Sequence, residues 1–195
     1  VLKHTLDSIE YFVTLYWVGK ATFNEKAKHY FVLPPMDDHL AFTCAFTSTA
    51  PSTQPVTVAQ TQEEAKNYWN SFWKEGAAVD FSACTDPRAK ELERRVVLSQ
   101  YLLAIQSAGT TPPQETGLTY NSWFGKFHLE MIWWHEAQFA LWNRSNLLDR
   151  TLGWYEKAEA IARQVAQRQG CDGVRWMKMP DPSGSEAPSK VGSVL

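Results

Sequence analysis

The feature that most constrains the fold is a pair of helical patterns of opposite character in the second half of the chain. The segment from His128 to Asn143 (HLEMIWWHEAQFALWN) carries large apolar side chains at every helical phase, which is typical of a helix surrounded by protein. From about Arg150 to Gln169 the apolar residues instead form one stripe opposite the charges, and Gly170 marks the end of the helix. Alternation of a buried helix with an amphipathic one is what two concentric helix layers require. We therefore predict a mainly α fold, the start of an α/α barrel.

The first sixty residues have the pattern of strands and turns. The segments IEYFVTLYWVG (9–19) and LAFTCAFTST (40–49) are β-branched and aromatic runs, and the turn cluster LPPMDDH lies between them. Two or three strands do not make a self-sufficient sheet. Residues 1–60 are therefore predicted to be the C-terminal strands of a β-sandwich domain.

A helical pattern begins after these strands. Thr61 is the predicted N-cap of a helix that stops at Gly76, and residues 61–85 form a predicted linker of helix and loop. Asp86 and Pro87 are start signals for a second helix, which runs to about Ser107 with a charged first half and an apolar, buried second half. Residues 86–195 are the predicted N-terminal part of the barrel, truncated.

Charge and spacing exclude several function classes. The formal net charge is −2 without a basic block, which disfavours nucleic acid and anionic membranes as partners, and no apolar run is long enough to span a membrane. His128 and His135 are seven residues apart, too far for one zinc ion without a ligand between them. No GxSxG motif is present. We expect no metal and no cofactor.

The nineteen residues from Gly109 to Phe127 form a predicted loop that is long enough to be functional. Glu115 and Glu130 lie in or beside it among aromatic residues. A carboxylate in that setting forms an ion pair, has a raised pKa or binds hydroxyl groups. Lys126 and Arg175 or Lys178 are possible ion-pair partners, and structural pairing and ligand binding both remain open.

A second loop combines an aromatic residue with cations. In GCDGVRWMKMPDPSG (170–184), Trp176 lies between Arg175 and Lys178. Aromatic faces stack on the C–H groups of a sugar ring, and nearby charged groups fix its hydroxyls, so this composition fits a polyol-binding surface. A rim loop packed for stability fits it equally well.

The stretch ETGLTYNSWFGKFHLEMIWWHEAQFALW resembles the clan of inverting α/α-barrel glycosidases that includes the trehalose and kojibiose phosphorylases, which carry the pattern GLTGxxYxGHxFWDxE. It is more similar to six-hairpin glycosidase proteins, in which PPQETGL…SW.GKFH.EM.WWH and G..G.RW.KM both recur. The resemblance covers roughly residues 62–195. It implies a β-sandwich, a linker helix and an (α/α)6 toroid in that order.

The resemblance implies an inverting glycoside hydrolase that acts on an oligosaccharide or glycoside. Gly125 falls on the shared glycine, and Glu130 falls on the acidic residue that holds sugar hydroxyls, where the phosphorylases have aspartate. The general acid is expected beyond Leu195, so the chain by itself is expected to be inactive. A non-catalytic carbohydrate-binding or scaffold domain and a disaccharide phosphorylase are the alternatives. The candidate substrate-binding residues are Glu115, Trp123, Lys126, His128, Glu130, His135, Trp176 and Lys178.

Overall fold

The computed structural model describes residues 1–6, 9–118, 120 and 122–187. The chain divides into two compact units, Val1–Ser71 and Phe72–Leu195. Five strands lie in the first unit, and the candidate site lies in the second.

The first unit contains two small antiparallel sheets. In the larger sheet, β1 (Leu2–Leu6), β2 (Ile9–Val18) and β5 (Ala41–Thr47) lie in the order β1-β2-β5. The smaller sheet is a hairpin of β3 (Asn24–Ala27) and β4 (Tyr30–Val32) with an irregularity between Glu25 and Ala27. Both strands predicted from the β-branched and aromatic runs are present.

Aromatic contacts join these two sheets. His4 of β1 stacks on its cross-strand partner Tyr11 at a ring-centroid distance of 5.0 Å and meets Phe31 of β4 edge-on. Phe23 stacks on Phe31 on one side and on Trp17 of β2 on the other. Aromatic pairs add to the free energy of burying ring surface, so the first unit gains packing that a count of strands does not predict.

Helix α1 spans Val58–Glu75 and begins four residues before the predicted start. The Gln60 backbone N–H donates to Thr57 Oγ1, and the Thr57 N–H donates to Gln60 Oε1, which is a capping box. The reciprocal pair at Thr57 and Gln60 satisfies two backbone donors at the start of the helix. Thr61 instead lies inside the helix.

Helix α2 spans Ala89–Ser107. Its N-cap is Arg88, two residues after the predicted cap Asp86, and Arg88 makes no side-chain cap. Asp86 Oδ1 accepts the backbone N–H of Arg88 at 2.8 Å in the turn before the helix. The expectation of a fully buried second half is wrong. Leu98, Leu102 and Ile105 are exposed, while Gln100 is buried with Ala104 and Ser107.

The predicted helix from His128 to Asn143 is replaced by short turns. Leu129–Met131 is a 3₁₀ turn, Trp133–Ala137 is a π-helical turn, and α3 covers only Gln138–Leu141. Trp133 and Trp134 are 69% and 60% exposed, so this segment is not surrounded by protein in the described structure.

Helix α4 spans Ser145–Arg168 and has the predicted amphipathic character. Its buried residues include Trp154, Ala158, Ala162 and Val165, as the sequence stripe indicates. Gly170 has φ +70° and completes a Schellman motif, in which the Cys171 N–H donates to the Ala166 carbonyl at 3.0 Å.

The prediction of a mainly α fold is wrong. The chain is a mixed α/β protein with 42% helix and 19% strand, and the described residues form four helices and two small antiparallel sheets. The prediction failed for two reasons: the N-terminal strands pair with one another into small sheets, and the segment assigned to an inner barrel helix has exposed tryptophans. Among the described helices, none is long and apolar enough to cross a membrane.

Candidate functional site

The site is built on three backbone segments that lie side by side in the second unit. The central segment is 127–129, and the N–H of His128 donates to the Pro113 carbonyl on one side at 3.0 Å. On the other side, the Leu129 N–H donates to the Lys178 carbonyl at 2.9 Å and the Phe127 N–H to the Pro180 carbonyl at 3.2 Å. These bonds bring the two loops that the sequence analysis singled out against the same short segment.

Two side chains from these segments, those of Lys178 and His128, contact the carboxylate of Glu130. Its Oε2 forms an ion pair with Lys178 Nζ and lies 3.2 Å from His128 Nε2, whose N–H donates to the carboxylate. The hydrogen bond from Lys178, followed by that from His128, holds the pKa of the Glu130 carboxyl below its usual range. The side chain of Glu130 remains half-exposed, so the carboxylate is both charged and accessible.

His128 lies between two carboxylates. Its residue surface is only 5% exposed. While Nε2 faces Glu130, Nδ1 on the other side of the ring lies 3.2 Å from Glu115 Oε2. Neither His128 Nδ1 nor Glu115 Oε2 has a hydrogen-bond partner among the described residues, so these two atoms are close without forming a hydrogen bond.

His135 lies behind this group. Burial lowers the pKa of its imidazole, and a hydrogen bond to the backbone of Glu115 opposes that shift more weakly. The predicted residues Glu115, His128, Glu130, His135 and Lys178 thus come together. We call the first three of these with Lys178 the His128 cluster, because each contacts His128 or Glu130.

A cavity of about 420 Å³ opens beside Glu130. Tyr155 of α4 and Trp176 meet edge-on in its wall, with a ring-centroid distance of 5.5 Å. Burial, with a smaller contribution from the charge of Glu136, raises the pKa of Tyr155 to about 12, so its hydroxyl stays protonated. The lining residues are Leu129, Glu130, Tyr155, Arg175, Trp176, Met177 and Lys178.

Two predicted site residues lie elsewhere. Lys126 is buried, and its Nζ donates to the Ala187 carbonyl at 2.6 Å, which is a structural role. Trp123 is about half-exposed but does not line the cavity beside Glu130. Trp123 and Phe124 have φ of +50° and +61°, a conformation that costs energy in residues other than glycine.

Sequence reasoning missed Tyr155 and Glu136. Tyr155 follows the buried Trp154 at the edge of the apolar stripe of α4, so the helical pattern did not distinguish it as a cavity residue. Glu136 is almost fully buried (1% exposed), and its Oε1 accepts the Thr151 hydroxyl at 3.0 Å. The only signal for its burial was its position inside the apolar segment that follows His128.

The arrangement offers a fixed carboxylate, an ammonium group and two aromatic rings at the edge of one cavity. In the described part of the chain, no group of three or more histidine, cysteine, aspartate or glutamate side chains is placed to hold a metal ion. A carboxylate, an ammonium group and aromatic rings can form hydrogen bonds, ion pairs and stacking contacts with a ligand.

Comparison with family models, curated proteins and solved structures finds no match to this chain. The resemblance to glycosidases thus remains a hypothesis that depends on the motifs quoted above.

Proposed function

We propose that the cavity beside Glu130 binds a carbohydrate, and that it is the substrate-holding part of an inverting glycoside hydrolase. The observation that carries the proposal is the charged, accessible carboxylate of Glu130, held by Lys178 and His128 at the edge of an aromatic cavity. A fixed carboxylate accepts hydrogen bonds from two neighbouring hydroxyl groups, which is the pattern that a sugar ring presents.

The aromatic residues of the cavity support this proposal. Trp176 and Tyr155 supply apolar ring surface beside the polar group, and binding sites for small molecules combine a mostly apolar lining with a few fixed polar groups. The volume of about 420 Å³ lies within the range of small-molecule sites. A sugar needs both kinds of surface, because its ring carries C–H groups on its faces and hydroxyls at its edge.

Glu130 is proposed to bind substrate and not to transfer protons. A general acid must be protonated at the working pH, which requires a raised pKa, whereas the pKa of Glu130 is lowered. Inverting hydrolysis needs two carboxyl groups on opposite sides of the scissile bond. Glu130 is the one carboxylate among the described residues that line this cavity.

That last observation favours a second candidate function, non-catalytic binding of carbohydrate. The same cavity serves both functions, and they differ in whether a bound glycoside is hydrolysed. Release of the aglycone from aryl α- and β-glycosides by the wild-type chain would support hydrolysis and would overturn the expectation that this chain is inactive by itself. Binding without release would leave carbohydrate binding alone.

The binding test is a glycan-array screen followed by calorimetric titration with the sugar that gives the strongest signal, with trehalose and kojibiose included. Glu130→Gln is expected to weaken affinity at least tenfold, because a hydrogen bond to a charged group contributes about 1.5–3 kcal/mol. Trp176→Ala is expected to weaken it about two- to tenfold, because an aromatic stack contributes about 0.5–1.5 kcal/mol. Failure of every glycan to bind the wild-type chain would refute the proposal.

Matched controls separate the cavity from general effects on the fold. Glu159→Gln removes a carboxylate from the exposed face of α4, and Trp134→Ala removes an exposed tryptophan outside the cavity. Both variants should bind as the wild type does. Trp123→Ala tests the loop residue that the sequence favoured. If Trp123→Ala loses affinity and Trp176→Ala does not, the sugar binds at the loop and not in the cavity.

A further inference from the structure

Strand β5 forms one edge of the three-stranded sheet in the first unit. The strand order is β1-β2-β5, and within the described part of the chain β5 pairs with β2 alone, along its whole length. An edge strand carries backbone N–H and C=O groups on its outer side that no neighbouring strand binds. A further strand can therefore be added beside β5 by backbone hydrogen bonds.

β5 lacks the features that usually protect an edge strand from such pairing, which are charged side chains, proline, bulges and short length. Its segment AFTCAFT contains no charge and no proline, and it runs for seven residues without a register shift against β2. At the opposite edge, β1 has five residues and carries Lys3, which forms an ion pair with Glu10 of β2. Of these two edges, β5 is the one suited to accept another strand.

The exposed side chains of β5 are apolar and share one face of the sheet. Phe42 is 50% exposed, Phe46 is 70% exposed, and Cys44 between them is exposed as well. The residues opposite these three on β2 are also apolar, namely Trp17, Leu15 and Val13. The open edge thus combines backbone groups able to pair with ring surface whose burial stabilises a complex.

The sequence of β5 is complementary to itself. Two copies of AFTCAFT that lie antiparallel about the central cysteine place each phenylalanine opposite a phenylalanine and each threonine opposite an alanine. Cys44 then faces its own counterpart, and no charged side chain meets another. Aromatic pairs directly across two antiparallel strands stabilise the pairing. A two-fold symmetric interface requires one patch that is self-complementary in this way.

We propose that the protein forms a two-fold symmetric dimer in which the β5 strands of two copies pair antiparallel about Cys44. The two three-stranded sheets join into one sheet of six strands. Because the two-fold axis is perpendicular to that sheet, the phenylalanines of both copies lie on the same face. The dimer does not depend on the proposed carbohydrate site.

The area available at this edge indicates a weak dimer. The parts of the four phenylalanine side chains that are still exposed amount to roughly 350–600 Å², taking about 150–250 Å² for one whole aromatic side chain. Stable interfaces bury about 1,200–2,000 Å² in total, so the backbone and the other β5 side chains must supply the remainder. Pairing through one strand lies at the small end of this range, and we expect a dissociation constant in the micromolar range.

Oxidation with diamide tests the pairing and its register. Opposite residues of antiparallel strands have Cα atoms about 4.5 or 5.5 Å apart, and a disulfide spans about 4.4–6.8 Å. Diamide takes two protons and two electrons from two thiols, is itself reduced to a hydrazine, and leaves a disulfide. Peptide mapping should find a covalent dimer linked from Cys44 to Cys44. Cys84 and Cys171 are also exposed, and dimers linked through them as readily as through Cys44 would overturn the proposal.

Charge substitutions at position 44 test the dimer without oxidation. Cys44→Lys and Cys44→Glu each place two like charges opposite one another across the two-fold axis, so each variant alone should dimerise at least tenfold more weakly than the wild type. An equimolar mixture of the two variants should dimerise again, because the lysine of one copy then faces the glutamate of the other. Recovery in the mixture also shows that both variants are folded.

Sedimentation velocity from micromolar to submillimolar concentrations measures these equilibria. Cys44→Ser should keep the dimer and lose the covalent link. Cys171→Lys and Cys171→Glu are the matched controls, because they add the same charges at an exposed cysteine outside β5, and both should dimerise as the wild type does. A wild-type chain that stays monomeric, a Cys44→Lys variant that dimerises as the wild type does, or a mixture that stays monomeric would each refute the dimer.

Discussion

Thr151 donates its hydroxyl hydrogen to Glu136 Oε1 over 3.0 Å, and both side chains are sealed from solvent. Glu136 Oε2 has no hydrogen-bond partner among the described residues. Burial therefore raises the pKa of Glu136 from 4.5 to about 7, and the single hydrogen bond from Thr151 only partly opposes this.

This raised pKa predicts that the protein loses stability as pH rises from about 4.5 to above 7. In that range the unfolded chain has an ionised glutamate while the folded chain keeps the proton, so the folded state binds more protons. The loss is of the order of 3 kcal/mol across this range. Glu136→Gln should unfold at a urea concentration that varies less with pH between about 5 and 8. Equal pH dependence in the variant and the wild type would contradict the assignment, and Glu159→Gln serves as control.

Arg144 is predicted to be essential for the packing of the second unit. Its buried guanidinium donates to the carbonyls of Phe72 and Ala77 and to Gln100 Oε1, and it lies 3.9 Å from the centre of the Phe72 ring. Arg144→Met leaves these buried acceptors without donors, so we expect a loss of at least about 3 kcal/mol in the free energy of unfolding.

Gly76→Ala should also lower the free energy of unfolding, because an added Cβ would overlap the guanidinium group of Arg144. Arg163→Met removes an exposed arginine paired with Glu159 on α4 and is expected to cost less than about 1 kcal/mol. Thermal unfolding of the three variants measures these differences. A cost for Arg144→Met as small as that for Arg163→Met would be inconsistent with a packing role.

Two glycines of the α4 region should respond to alanine with opposite signs. Gly153 lies inside the helix with open space around its Cβ position, so Gly153→Ala should stabilise the protein by about 0.5–1 kcal/mol. Gly170 has φ +70° at the helix end, and Gly170→Ala should destabilise by about 1 kcal/mol. Chemical denaturation of both variants measures the sign, and stabilisation by Gly170→Ala would argue against the Schellman motif.

Lys178 is predicted to control the charge of Glu130. Its hydrogen bond is the largest cause of the lowered pKa of Glu130, so Lys178→Met should raise that pKa towards the ordinary value. The wild-type carboxylate stays charged at lower pH than a free glutamate does, and the variant should lose sugar binding at a higher pH on the acid side. Carbon-13 NMR of the glutamate carboxyls measures the pKa, with Lys157→Met as the control, and an unchanged Glu130 pKa would rule out the ion pair in solution.

The outcome at individual residues shows what sequence reasoning can reach. The amphipathic stripe of α4 and its end at Gly170 were predicted, because helical periodicity and glycine caps act within a few residues. The start of α1 was wrong by one helical turn because Thr57 and Gln60 cap each other, a signal that was present in the sequence. The ion pair of Glu130 with Lys178 agrees with the structure, whereas Lys126, the other candidate partner, donates to the Ala187 carbonyl instead.

The all-apolar segment after His128 shows where such reasoning fails. Its hydrophobicity predicted a buried barrel helix, yet Trp133 and Trp134 are exposed and the backbone forms short 3₁₀, π and α turns. Hydrophobic content indicates that a segment favours contact with apolar surface, but it does not specify which surface is present.

The sequence by itself determined some local elements: strands β2 and β5, the limits of α2 to within one residue, and the end of α4. Only the tertiary structure decided which of the candidate site residues meet. The backbone bonds from 127–129 to Pro113, Lys178 and Pro180 join positions up to about fifty residues apart, and they place His128 between two carboxylates while keeping Trp123 outside the cavity. Contacts at that separation depend on the packing of whole segments, and no local pattern encodes them.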